Sequence, residues 1–249
     1  MHLLCEDLLH SMQESRKQGI YDAEMKRKAF ILLALSALLL GSCDMEEGNY
    51  GDRWAEDYEN GSVKQYNAIV TVKQDPDGTV FFQVDDDTRL YPSYYPVTYS
   101  GMVRIICNLR VDTNTGQCQV LWMDYLDQGT SVKGPMTQDV TDDGLDVIDD
   151  WMTTVEDGFL TVHYNASWGY SGVPHLLFAN AEDSDDPYSV RLIHSANGDE
   201  PLEEADAIVY FDLNEILPDT EGDYKTLTLN WKNSNAENES RTFQFRTRQ

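Results

Sequence analysis

From residue 63 onward the chain alternates apolar and polar positions with a period of two. Tyr66, Ala68, Val70 and Val72 share one face of the first run, which predicts a strand with one buried side. Asp75-Pro76-Asp77-Gly78 has turn chemistry, and Thr79–Asp85 returns from it. Thr88–Tyr91 reads as a short third strand ended by Pro92. Gly101–Val111 lines up Val103, Ile105, Cys107, Leu109 and Val111. Gln117–Tyr125 lines up Cys118, Val120 and Trp122, with Asp112–Gly116 as the hairpin turn between them. Five short strands in succession predict a small OB-like barrel.

Asp127–Asp143 has little periodicity and contains Gly129, Gly134 and Pro135, so a domain boundary is expected there. A second series follows: Trp151–Glu156, Phe159–Ser167, Val173–Ala179, Tyr188–Ser195, Ala205–Leu213, Tyr224–Trp231 and Arg241–Arg246. Asp157-Gly158 is a hairpin signal, and the only helical segment expected is a turn near Asn214–Leu217. The series predicts an immunoglobulin-like β-sandwich. The fold class is therefore all-β, with the barrel at 63–134 and the sandwich at 135–249.

The N-terminal region has a different pattern. Met25-Lys26-Arg27-Lys28 precedes the apolar run Ala29–Leu40, which ends at Gly41-Ser42-Cys43. A positive start, a short apolar core and small residues before a cleavage point form a secretory signal. The run is too short to span a bilayer, which takes about 20 apolar residues. Leu40-Gly41-Ser42-Cys43 resembles the bacterial lipobox, and that resemblance implies lipid attachment at Cys43. Residues 25–42 are then the signal peptide, and the acidic, Gly-containing stretch 43–62 is a tether. Residues 1–24 carry Glu6, Asp7, Glu14, Asp22 and Glu24 ahead of the positive start. They read as an extension before the true start at Met25. Acidic residues directly after Cys43 (Asp44, Glu46, Glu47) resemble the surface-export signal of Bacteroidetes lipoproteins. The expected location is the outer membrane, facing the cell surface.

Of the other cysteines, Cys107 and Cys118 fall on adjacent strands. A turn centred on Asn114-Thr115 sets Val111 opposite Cys118 and Cys107 opposite Trp122. That is too far out of register for a disulfide, so both are expected as small buried apolar residues.

Charge narrows the partners. The chain has 44 Asp+Glu against 18 Lys+Arg, a net charge of −26. Residues 135–249 alone hold 24 acids and 6 bases, net −18. Such a chain repels phosphate backbones, so no nucleic-acid partner is expected. No HExxH, G-x-S-x-G, P-loop or dinucleotide motif is present, and His163 reads as a strand-face residue. No catalytic, cofactor or metal residues are nominated; Glu182–Asp186 lacks EF-hand spacing. Tyr91, Tyr94 and Tyr95 in a Pro-bounded loop, and Trp168 and Tyr170 around Gly169, are candidate binding aromatics. The bland reading is that they plug barrel ends and the interdomain seam.

The lipobox, acidic tether, barrel and acidic sandwich together resemble the NigD-like lipoprotein family of Bacteroidetes. The residues that carry the resemblance include Tyr66–Val72, Phe81–Asp85, Arg89-Leu90-Tyr91-Pro92, Gly101–Asn108 and Asp157–Val162. The resemblance implies an N-terminal OB domain and a C-terminal β-sandwich. It also implies a monomeric, non-enzymatic surface protein, membrane-bound through Cys43, that binds a protein or peptide, with bacteriocin immunity a suggested role. Two alternatives stand beside it: a glycan-binding accessory of a surface uptake system, and a hydrolase.

Overall fold

The computed structural model describes residues 54–57, 62–95, 99, 101–136, 140–181 and 186–248. The chain divides into two compact units, Met1–Tyr50 and Gly51–Gln249, and every described residue belongs to the second. The extension 1–24, the signal 25–42 and Cys43 lie outside the described residues.

The first part is a closed five-stranded barrel. Its strands are β2 (Val63–Gln74), β3 (Val80–Gln83), β4 (Arg89–Pro92), β5 (Val103–Asp112) and β6 (Gln117–Tyr125). They are hydrogen-bonded in the order β2-β3-β4-β6-β5, and β5 pairs back to β2 along its whole length. Tyr66, Ala68, Val70 and Val72 of β2, with Ile105, Cys107, Leu109 and Val111 of β5, fill the interior. These are the faces that the alternation sets inward. Part of the expected tether is also strand: β1 (Trp54–Asp57) adds to β2. Pro92 is the last residue of β4 rather than its stop. The parallel pair Tyr91↔Gln117, Pro92↔Cys118 lets the barrel close.

Val111 does face Cys118, but Cys107 lies opposite Met123 and not Trp122. A β-bulge is the reason: Leu109 pairs with Val120 and Asn108 with Trp122, which leaves Leu121 as the extra residue. Both cysteines are free and buried. Burial pushes both thiols up, Cys118 to about 12, so neither is a nucleophile at neutral pH.

The second part is a sandwich of two sheets. One contains β10 (Thr154–Glu156), β11 (Phe159–Trp168), β14 (Glu203–Asp212) and β7 (Asp127–Gln128), with β9 (Asp146–Val147) also on β11. The other runs β16 (Asn238–Phe245), β15 (Lys225–Lys232), β13 (Ser189–Ser195), β12 (Leu176–Ala181) and β8 (Thr130–Lys133). Leu160, Val162 and Tyr164 of β11 meet Ala179, Leu192, Leu227 and Leu229 in the core. β7 and β8 pair with β14 and β12, so sandwich pairing begins before the division expected at residue 134. Gly129 permits this switch between sheets, because a Cβ there would run into the buried Phe211 ring. Residues expected to open the Trp151–Glu156 strand form a turn instead. The Asp150 carboxylate accepts from the Met152 amide, so only Thr154–Glu156 is extended.

The outer face of β11 is also buried, which simple alternation does not anticipate. The barrel covers its first residues through a seam of reciprocal charges. Lys73 of β2 reaches Asp157 in the β10–β11 turn at 2.5 Å. Arg104 of β5 lies 3.9 Å from the Glu156 carboxylate and donates to the Thr71 hydroxyl at 3.0 Å. In the other direction, Arg246 of the sandwich holds Asp87 (2.7 Å) and Asp86 (3.5 Å) of the barrel's β3–β4 turn.

Candidate functional site

Trp168, at the end of β11, opens a loop that returns into β12. Three consecutive features make this loop rigid. The Trp168 ring stacks on His175, with centroids 4.0 Å apart and planes 12° apart. Its indole N–H donates to the Ala205 carbonyl at 3.1 Å. Asp199, in the β13–β14 loop, accepts from the Gly169 amide at 2.6 Å and the Ser171 hydroxyl at 2.5 Å. Gly169 is required here: a Cβ would collide with the Glu200 carbonyl and the Asp199 carboxylate.

Beneath the loop lies a chain of imidazoles. His194 Nδ1 donates to the Gly144 carbonyl at 2.7 Å, since a carbonyl can only accept. Its Nε2 is therefore the acceptor for His175 Nδ1–H at 2.9 Å. His175 Nε2 faces Asp199 Oδ2 at 3.3 Å.

Ser171, His175 and Asp199 do not form a nucleophilic triad. In such a triad the base lies between nucleophile and carboxylate. Here the carboxylate lies between the two others, and the Ser171 hydroxyl is spent on it. Among the described residues no three His, Cys, Asp or Glu side chains converge as a metal set. His163 is a strand-face residue, buried under the 148–153 turn with Nδ1 on Asp150 at 2.8 Å.

Acid should weaken this assembly. Burial pushes His194 below its ordinary value near 6.5, against the pull of the Gly144 carbonyl. The Ser171 hydroxyl, the Gly169 amide and His175 hold Asp199 at about 2. Below about 6.5 the unfolded chain takes up a proton that folded His194 resists, so stability falls with pH. The Asp199 contribution is complete above its unfolded value of 3.8 and is lost as pH drops toward 2. The urea midpoint should therefore decline from pH 7 to 5 and again below 4, and His194→Gln should flatten the first decline. A midpoint constant from pH 7 to 4.5 contradicts this.

The five candidate aromatics fall into two sets. At the barrel, Tyr91 is half-buried against Phe81. Tyr95 packs edge-on to Phe82 and meets the Tyr125 hydroxyl at 3.3 Å. Tyr94 is 72% exposed. At the sandwich, Trp168 is committed to His175 and the core, whereas Tyr170 is 75% exposed and donates to Glu203 at 3.0 Å. Leu202 stands beside this loop, 56% exposed, its amide on the Trp168 carbonyl. Sequence reasoning did not nominate His175, His194 or Asp199. The one available signal is the β12–β13 register: Leu177 pairs with His194, which makes His175 its diagonal neighbour.

Residues 129–245 match the family described as NigD-like C-terminal beta sandwich domain. No curated protein matches the chain. Among solved structures, a protein described as toxin-related from Parabacteroides distasonis is 18% identical, with a TM-score of 0.60. The alignment covers 73% of this chain and 93% of that one. A protein of unknown function from Bacteroides vulgatus is 17% identical with a TM-score of 0.58, covering 72% and 90%. A NigD-like immunity protein from Bacteroides caccae is 19% identical with a TM-score of 0.51, covering 70% and 91%. At these identities the likeness is one of fold, and it spans barrel and sandwich together. Residues 129–245 are thus a NigD-like C-terminal β-sandwich domain.

Proposed function

We propose that this chain is a lipid-anchored, non-catalytic binding protein, held at the outer membrane through Cys43 and facing the cell surface, that captures a cationic protein or peptide. The observation that carries the reading is the pairing of exposed apolar side chains with a rigid acidic frame. Tyr170 and Leu202 stand out from loops fixed by Asp199. From Ala196 to Ile208 there are five acids and no base. Exposed apolar anchors on a preorganised loop favour binding, and the surrounding charge selects a basic partner. The Bacteroides caccae relative is described as an immunity protein, which supports a bacteriocin as the partner.

A second reading, capture of glycans, has the exposed Tyr94 beside Tyr95 and Tyr125 in its favour. The stacked and hydrogen-bonded Trp168 does not add to it. The test is binding of the full chain to a cationic bacteriocin peptide at 50 and 300 mM salt, beside a panel of neutral oligosaccharides. Peptide affinity should fall steeply with salt. A salt-independent affinity overturns electrostatic selection, and oligosaccharide binding that Tyr94→Ala abolishes supports the second reading.

A further inference from the structure

We infer that β14 is an open docking edge, along which an extended peptide of alternating basic and apolar residues adds as a new strand. This rests on the cationic-partner reading above and gives it a place and a mode.

β14 is ten residues long, and β11 pairs with all of it. On the other side β7 meets only Val209 and Tyr210. Among the described residues, Glu204–Ala207 have no strand partner on that side. The Gly129 amide donates to the Tyr210 carbonyl, so Tyr210 directs its backbone groups away from β11. Backbone direction alternates along a strand. Glu204 and Asp206 therefore also point their N–H and C=O groups outward, and Ile208 its N–H, and these are the groups that an added strand needs.

The side chains specify which strand. Glu204 and Asp206 lie on the outer face, where Asp206 accepts from Asn165 at 2.7 Å. Ala205 and Ala207 lie on the inner face, and Ala207 packs against the margin of the core. Small residues here leave room for an incoming apolar side chain beside them. The acids outside face the alternate, basic side chains. A second copy of this chain is a poor occupant, because it would set the same acids against each other. Acidic edge residues are a known guard against such self-pairing.

The probe is a ten-residue peptide of alternating Lys and Val, compared with the same peptide N-methylated at every amide. The two carry equal charge, but only the first can donate N–H groups to a strand edge and lie along it without methyl clashes. The full chain should bind the first at low salt and the second about tenfold or more weakly. Amide exchange should slow at Glu204, Asp206 and Ile208. Ile208→Pro, which removes an outward N–H and no hydrogen bond to β11, should weaken binding to a similar degree. Equal binding of both peptides overturns the edge site and leaves the cationic-partner reading standing. Failure of both at low salt overturns the cationic-partner reading, and the edge site with it.

Discussion

Arg104→Ala should cost the protein about 3–5 kcal/mol of stability, as expected when one member of a buried ion pair is removed. The guanidinium has no exposed surface. It lies 5.4 Å over the Phe159 ring and donates to Thr71, and Glu156 supplies the nearby negative charge. Burial presses Arg104 below its ordinary value, and Glu156 and Asp157 pull it back. Removing the cation strands the buried Glu156 carboxylate in the seam without that charge, a state far costlier than a lost contact. The double variant Arg104→Met, Glu156→Gln removes both charges and keeps volume, so most of the loss should return. Urea titration reads all of these. A loss below about 1 kcal/mol for Arg104→Ala would mean that the seam is not held this way.

That seam also marks the limit of what the sequence discloses. Alternation located twelve strands, β2–β6 and β10–β16, because a half-buried strand writes its burial into every second residue. Strands β7 and β8 left no such mark. They are two and four residues long, largely polar, and joined by Gly129. Their strand state comes from edge pairing with β14 and β12, not from their own pattern. The charges of the seam were equally silent. Arg104 and Glu156 are 52 positions apart, and among 44 acids no single carboxylate stands out. Both faces of β11 are buried for the same long-range reason: Arg104 of the barrel covers Phe159, and the Asp150 turn covers His163. The candidate site was half legible. Gly169 between Trp168 and Tyr170 pointed to the loop. The imidazole chain that supports it needs the β12–β13 register, which local pattern does not supply.

The largest functional effect should come from Cys43→Ser, with complete loss of membrane association. The lipobox Leu40-Gly41-Ser42-Cys43 resembles sites where the thiol takes a diacylglyceryl group and the new amine a further chain. Each buried CH₂ contributes ~0.8 kcal/mol, so one chain holds a protein only marginally while two or more hold it stably. Serine offers no thiolate for the transfer, so every chain is lost together. The sandwich carries 24 acids against 6 bases, and the barrel with its tether carries 15 against 7. Neither supplies the polybasic patch that holds peripheral proteins to anionic lipid. The wild-type chain should enter the detergent phase of a Triton X-114 partition and migrate at its mature mass. The Cys43→Ser chain should stay aqueous or remain uncleaved. A Cys43→Ser chain that still matures and still partitions with detergent would place the anchor elsewhere.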